Sequence, residues 1–131
     1  LPQSVLIYLE GDLGAGKTTL VRALLRALGH EGAVRSPTYT LIEPYELTGH
    51  DVFHLDLYRL GSPDELEDIG IRDILAVPCL LLVEWPEKGR GVLPPPDLRL
   101  SLAAAGSGRL LSLRAMTATG AKVLKDSGFS S

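Results

Sequence analysis

Gly11 and Gly16 are separated by four residues, one of them Gly14, and Gly16 is followed at once by Lys17 and Thr18. The whole run, Gly11-Asp12-Leu13-Gly14-Ala15-Gly16-Lys17-Thr18, is a complete Walker A pattern. The spacing suits the holding of phosphate. A backbone that wraps a phosphate must turn its N–H groups inward, through conformations that a Cβ obstructs, and glycines permit this. A helix starting near Lys17 would aim its positive dipole end at a β-phosphate. Lys17 would then reach the β and γ oxygens, and the Thr18 hydroxyl would ligate Mg²⁺. The ligand class is a nucleoside triphosphate, ATP or GTP.

A triphosphate-bound Mg²⁺ usually also needs a carboxylate at the end of a neighbouring buried strand. Two acids are candidates. Glu84 follows Leu80-Leu81-Leu82-Val83, the pattern of a strand buried on both faces. Asp56 lies on what reads as the polar side of a half-exposed strand. Glu84 fits better. Ser36-Pro37-Thr38-Tyr39-Thr40 occupies the place of a switch loop, where Thr38 could sense the γ-phosphate. Read alone, it is also simply a proline turn entering a strand. His30, His50 and His54 lack metal-ligand spacing and are expected in surface or strand roles.

The elements that must carry these residues are legible. Ser4 to Glu10 reads as a buried strand running straight into the glycine loop. Lys17 to Leu28 reads as a helix with Leu20, Ala23, Leu24, Ala27 and Leu28 on its inner face and Gly29 as its cap. Runs 38–46 and 51–59 read as a hairpin, with Phe53, Leu55 and Leu57 alternating with His54, Asp56 and Tyr58. Ser62-Pro63-Asp64-Glu65 reads as a capped helix start, with Glu65 completing a capping box. A break follows at Gly70, then a turn over 71–75. Residues 79–83 read as a strand, 98–103 and 109–115 as a second hairpin, and the tail from Thr117 as a short helix. The expected class is α/β, a P-loop fold with a mixed central sheet flanked by helices. No repeat or linker divides the chain, so residues 1–131 are expected to form a single domain.

Composition narrows the classes further. Of 131 residues, 45% are hydrophobic and 22% charged, a globular balance. The longest apolar run, Ala76 to Val83, is too short to cross a bilayer and holds Pro78. A lone cysteine, Cys79, excludes an internal disulfide and points to a reducing, cytoplasmic compartment. The net charge of −3 argues against a protein that grips nucleic acid by itself.

Taken together, the motifs GDLGAGKTTLVRALLRALG, SPTYTLIEPY, FHLDLYRL, PDELEDIGIRDIL and LLLVEWPEKG closely resemble the TsaE (YjeE) family, in order from Val5 to Leu93. The resemblance implies a Mg²⁺-dependent ATPase that supports threonylcarbamoylation of the tRNA adenosine beside the anticodon. It would act with the TsaB and TsaD proteins, and tRNA would be met through that complex. By position, Gly11 through Thr19 together with Trp85 would bind the nucleotide, and Thr18 and Glu84 would hold the metal. Asp56 would be the aspartate needed for hydrolysis, either polarising water or holding the metal's outer shell, and Thr38 the switch threonine. Family members usually carry a further segment before the first strand, part of which contacts the base. Only Leu1-Pro2-Gln3 precede it here, and residue 1 is not Met, so a native N-terminal segment is expected to be missing.

Two other classes compete. A small-molecule kinase needs an acceptor pocket and an arginine-bearing lid, neither visible in the sequence. A nucleotide-gated docking module would bind ATP without hydrolysing it. A GTPase is disfavoured because no Asn-Lys-x-Asp motif occurs.

Overall fold

The computed structural model describes residues 4–11, 17–27, 29–30, 41–47, 50–106 and 108–126. Strands β1 (Val5–Gly11), β2 (Ile42–Leu47), β3 (His50–Asp56), β4 (Leu80–Glu84), β5 (Leu98–Ala105) and β6 (Gly108–Ala115) form one sheet in the order β2-β3-β4-β1-β5-β6. The four inner strands are mutually parallel, and β2 and β6 pair antiparallel at the edges. Helices α1 (Lys17–Ala27), α2 (Glu65–Asp68), α3 (Ile71–Leu75) and α4 (Ala118–Asp126) connect or follow them.

Strand parity sorts the core into two layers. Val5, Ile7 and Leu9 of β1 join Val52, Leu82, Leu98 and Leu100 beneath Val21 and Leu25 of α1. Leu6 and Tyr8 point the other way, with Leu55, Leu81 and Val83, against Leu66 of α2 and Ile71 of α3. Successive helices thus cover opposite faces, as a parallel sheet requires. A ligand crevice in such a sheet lies outside the carboxyl ends of its strands. Gly11, Asp56 and Glu84 all stand at those ends.

The inner stripe of α1 departs from the sequence expectation. Val21 and Leu25 are fully buried, Leu20 and Leu24 only partly, and Ala23 is exposed. The stripe is turned because Lys17 itself is buried, so 17, 21 and 25 form one i, i+4 line. The helix ends in a Schellman arrangement: His30 N–H donates to Leu25 O at 2.9 Å and Gly29 N–H to Arg26 O at 3.1 Å, with Gly29 at φ +103°.

The strand β3 is shorter than expected, ending at Asp56 rather than Arg59. The Asp56 carboxylate accepts the Tyr58 N–H at 3.1 Å, a side-chain turn that bends the chain out of the sheet. Both faces of β3 are covered, so its apparently polar side is not half-exposed: His54 is fully buried and Asp56 partly so. The expected capping box is present in altered form. Ser62 Oγ accepts Asp64 N–H at 3.3 Å, while Glu65 reaches back to Gly61 N–H at 3.1 Å, and regular helix begins only at Glu65.

At the far end, Thr117 caps α4 by accepting the Gly120 N–H at 3.0 Å. Its hydroxyl donates to Asp97 Oδ1 at 2.7 Å, and Asp97 Oδ2 accepts Leu6 N–H at 2.8 Å. Asp97 N–H donates in turn to Leu6 O at 2.8 Å. One carboxylate therefore joins α4 to β1. Gly120 packs so closely on Asp97 that a Cβ would stand 1.9 Å from its carbonyl oxygen. No helix among the described residues is long and apolar enough to cross a membrane.

Candidate phosphate-binding site

The first candidate side chain is Lys17, at the start of α1 and only 5% exposed. Its ammonium donates to Gly11 O at 2.8 Å and sits 3.8 Å from the centroid of the Trp85 ring. A buried ammonium needs such partners, because desolvating it without them is costly. Trp85 reaches it through an unusual backbone. The residue adopts φ +57°, the only non-glycine positive φ among the described residues, immediately before the 3-10 turn Pro86–Gly89. A left-handed residue without special support costs about 1–2 kcal/mol. Here the turn swings the indole over Lys17. Tyr58 also packs against the indole, its ring 5.2 Å away, and Lys88 lies 5.3 Å from the Tyr58 ring while donating to Tyr58 O at 2.6 Å. Cation, ring, ring and cation are thus linked by successive contacts.

Leu9, Glu10, Gly11, Lys17, Trp85 and Glu87 line a cavity of about 330 Å³. Glu10 is held on one side by an ion pair with Arg99. The volume lies in the range of small-ligand sites, and its one buried cation sits at the bottom of the first strand–helix junction.

The acids come next. In the β3–β4 register Asp56 stands opposite Glu84, and Glu84 stands opposite Leu9 of β1. Asp56, His54 and Glu84 consequently share the face covered by α1. Glu84 is 3% exposed and lies 2.6 Å, Oε2 to Nε2, from the fully buried His54. Burial pushes the Asp56 carboxyl above the usual range, opposed by the Tyr58 N–H and supported by the negative charge of Glu84; His54 and Lys17 pull it back down. These groups therefore feel one another electrostatically.

The place of His54 against Glu84 was not legible from histidine spacing. The signal was its i, i+2 relation to Asp56, which puts both on one side of a strand. His54 Nδ1 has no hydrogen-bond partner among the described residues. Such a buried, unsatisfied atom costs about 1–3 kcal/mol.

The structure brings Gly11, Lys17, Trp85, Asp56 and Glu84 to one end of the sheet. Thr19 is exposed on α1. Asp12, Leu13, Gly14, Ala15, Gly16 and Thr38, and the side chain of Thr18, lie outside the described residues. Arg22 and Arg26 are exposed on the outer face of α1, and Arg72 is paired with Glu67 at 2.9 Å. No group of three or more His, Cys, Asp or Glu side chains among the described residues could hold a metal alone. The carboxylates of Glu84 and Asp56 are nevertheless hard oxygen donors. They fit Mg²⁺, which commonly takes one or two carboxylates and completes its shell with phosphate and water.

Residues 1–111 match the family model described as "Threonylcarbamoyl adenosine biosynthesis protein TsaE". The chain belongs to the TsaE family. It is 46% identical to a Haemophilus influenzae protein named tRNA threonylcarbamoyladenosine biosynthesis protein TsaE, over 93% of this chain and 77% of that one. A Rickettsia conorii protein of the same name is 36% identical over 81% of this chain, which spans only 61% of the relative's length. The crystal structure of Bacillus subtilis YdiB superposes with a TM-score of 0.79 at 26% identity, covering 95% of this chain and 76% of that one. The architecture is the P-loop NTPase fold with a mixed central sheet, as the TsaE-like motifs implied.

Proposed function

We propose that this chain is an ATPase subunit that supports threonylcarbamoylation of the tRNA adenosine beside the anticodon. It would act in the cytoplasm with TsaB and TsaD, contacting tRNA through that complex. The observation that carries the reading is the buried Lys17 ammonium. It is held by the Gly11 carbonyl and the Trp85 ring at the end of β1, beside two carboxylates on adjoining strands. Membership of the TsaE family supplies the tRNA-modification context.

In this reading Gly11, Asp12, Leu13, Gly14, Ala15 and Gly16 wrap the phosphates, and Lys17 exchanges its present partners for β and γ oxygens. Thr18 and Glu84 would hold Mg²⁺, which when bound neutralises charge on the phosphate oxygens. Asp56, opposite Glu84, orients the attacking water or the metal's outer shell, and Thr38 senses the γ-phosphate. Thr19 and Trp85 complete the nucleotide contacts. Slow turnover is expected of the isolated chain, since no arginine finger is evident.

The test is phosphate release from ATP by the chain alone and with TsaB and TsaD, together with an assay for phosphate transferred to any acceptor. Release that rises with the partners and disappears in Lys17→Ala and Glu84→Ala is expected. Undiminished turnover in both variants overturns the site assignment, and a phosphorylated acceptor would make the chain a kinase.

A further inference from the structure

Of the polar groups buried in this fold, His54 is the one its surroundings explain least. It occupies the layer under α1, flanked on its own strand by Val52 and Asp56 and opposite Leu82 of β4. An aliphatic side chain would fill that space and leave no orphaned Nδ1. The fold instead keeps a ring whose one polar contact among the described residues ends on Glu84.

We propose that His54 is a positioning residue for Glu84, its Nε2 pinning carboxylate oxygen Oε2 so that the acid faces the strand ends, where a nucleotide-bound divalent cation would sit. A glutamate side chain turns about three bonds, and Glu84 and the Lys17 ammonium both lie within electrostatic reach of Asp56. An unrestrained Glu84 carboxylate would be drawn toward that ammonium. The 2.6 Å contact holds it back and leaves its other oxygen available to the cation. Groups that orient metal-binding carboxylates in this way matter nearly as much as the ligands themselves. This inference rests on the Mg²⁺-nucleotide reading of the site.

The experiment titrates Mg²⁺ into the chain with adenylyl imidodiphosphate, followed calorimetrically, for the unaltered chain, His54→Leu and His54→Gln. Glutamine keeps a donor near the Nε2 position; leucine removes it. In His54→Leu the Mg²⁺ needed for half-maximal effect should rise roughly ten- to a hundredfold, while nucleotide affinity without Mg²⁺ and cooperative melting are retained. His54→Gln should restore most of the Mg²⁺ response. If leucine prevents folding, His54→Asn, whose shorter amide falls short of Glu84, takes its place. An unchanged Mg²⁺ response in the donor-lacking variant overturns this proposal alone, as does a glutamine variant equally defective. A chain whose nucleotide affinity ignores Mg²⁺ altogether overturns the reading of the site and this proposal with it.

Discussion

The Lys17 ammonium lies between the Gly11 carbonyl, 2.8 Å away, and the face of the Trp85 ring, 3.8 Å from its centroid. Both partners are uncharged. A phosphate oxygen offers the same ammonium a charge-assisted bond, roughly twice as strong as a neutral one. In the proposed role the lysine is already buried, and a phosphate would replace partners rather than order a free side chain.

Trp85 is the sole tryptophan of the chain, which makes this exchange observable. Addition of ATP should change its emission as the ammonium leaves the ring. The Lys17→Met chain should show little of that change and bind ATP at least ~10-fold more weakly, a loss of about 1.4 kcal/mol. An identical emission response in both chains would remove Lys17 from the ring-to-phosphate exchange.

Asp56 gives a pH dependence of definite sign. Burial, its leading cause, raises its carboxyl in the folded chain, so the folded state binds the proton more tightly than the unfolded one. Stability from this group is then present at low pH and is lost as pH rises through the raised value. Asp56→Asn should therefore raise the melting midpoint at pH 7 by about 2–4 °C while lowering ATP turnover. The gain should vanish as the pH falls below the ordinary carboxylate range. A gain that grew on acidification would contradict the burial argument.

Cys79 is fully buried, and burial pushes its thiol upward; the sulfur reaches Ile74 O at 3.5 Å. The thiolate, the form that reacts, is suppressed. A disulfide reagent at neutral pH should label the folded chain no faster than the chain opens. Rapid stoichiometric labelling without unfolding would falsify this description of the β4 entrance.

Gly120→Ala tests the seat of α4. Its added Cβ would meet backbone, which cannot swing aside, so a loss of about 1–3 kcal/mol or more is expected. Trypsin should then cut sooner at the exposed Lys122 and Lys125. Unaltered melting and cleavage would mean that α4 is not docked on Asp97.

Much of the fold was readable because its signals are local. The buried strand expected over 79–83 and observed as Leu80–Glu84, and the caps at Gly29 and Ser62, each follow from short-range chemistry. What escaped depended on partners distant in sequence. Alternation in 53–58 reads as a half-exposed strand only while β4 and α1 are out of sight; the sheet order buries both sides. The stripe of α1 was misplaced by counting leucines, because the residue that sets it is a charged lysine. His54 and Glu84 lie thirty positions apart, and nothing short of strand register announces their contact.

The Asp97 bridge has a consequence for how the molecule opens. By tying the cap of α4 to the backbone of Leu6, it makes the last helix and the first strand a single cooperative unit. Fraying of α4 is thereby felt in the strand that ends at Gly11. Amide hydrogens of Leu6 and Gly120 should exchange together, through one shared opening event, although they stand at opposite ends of the sequence.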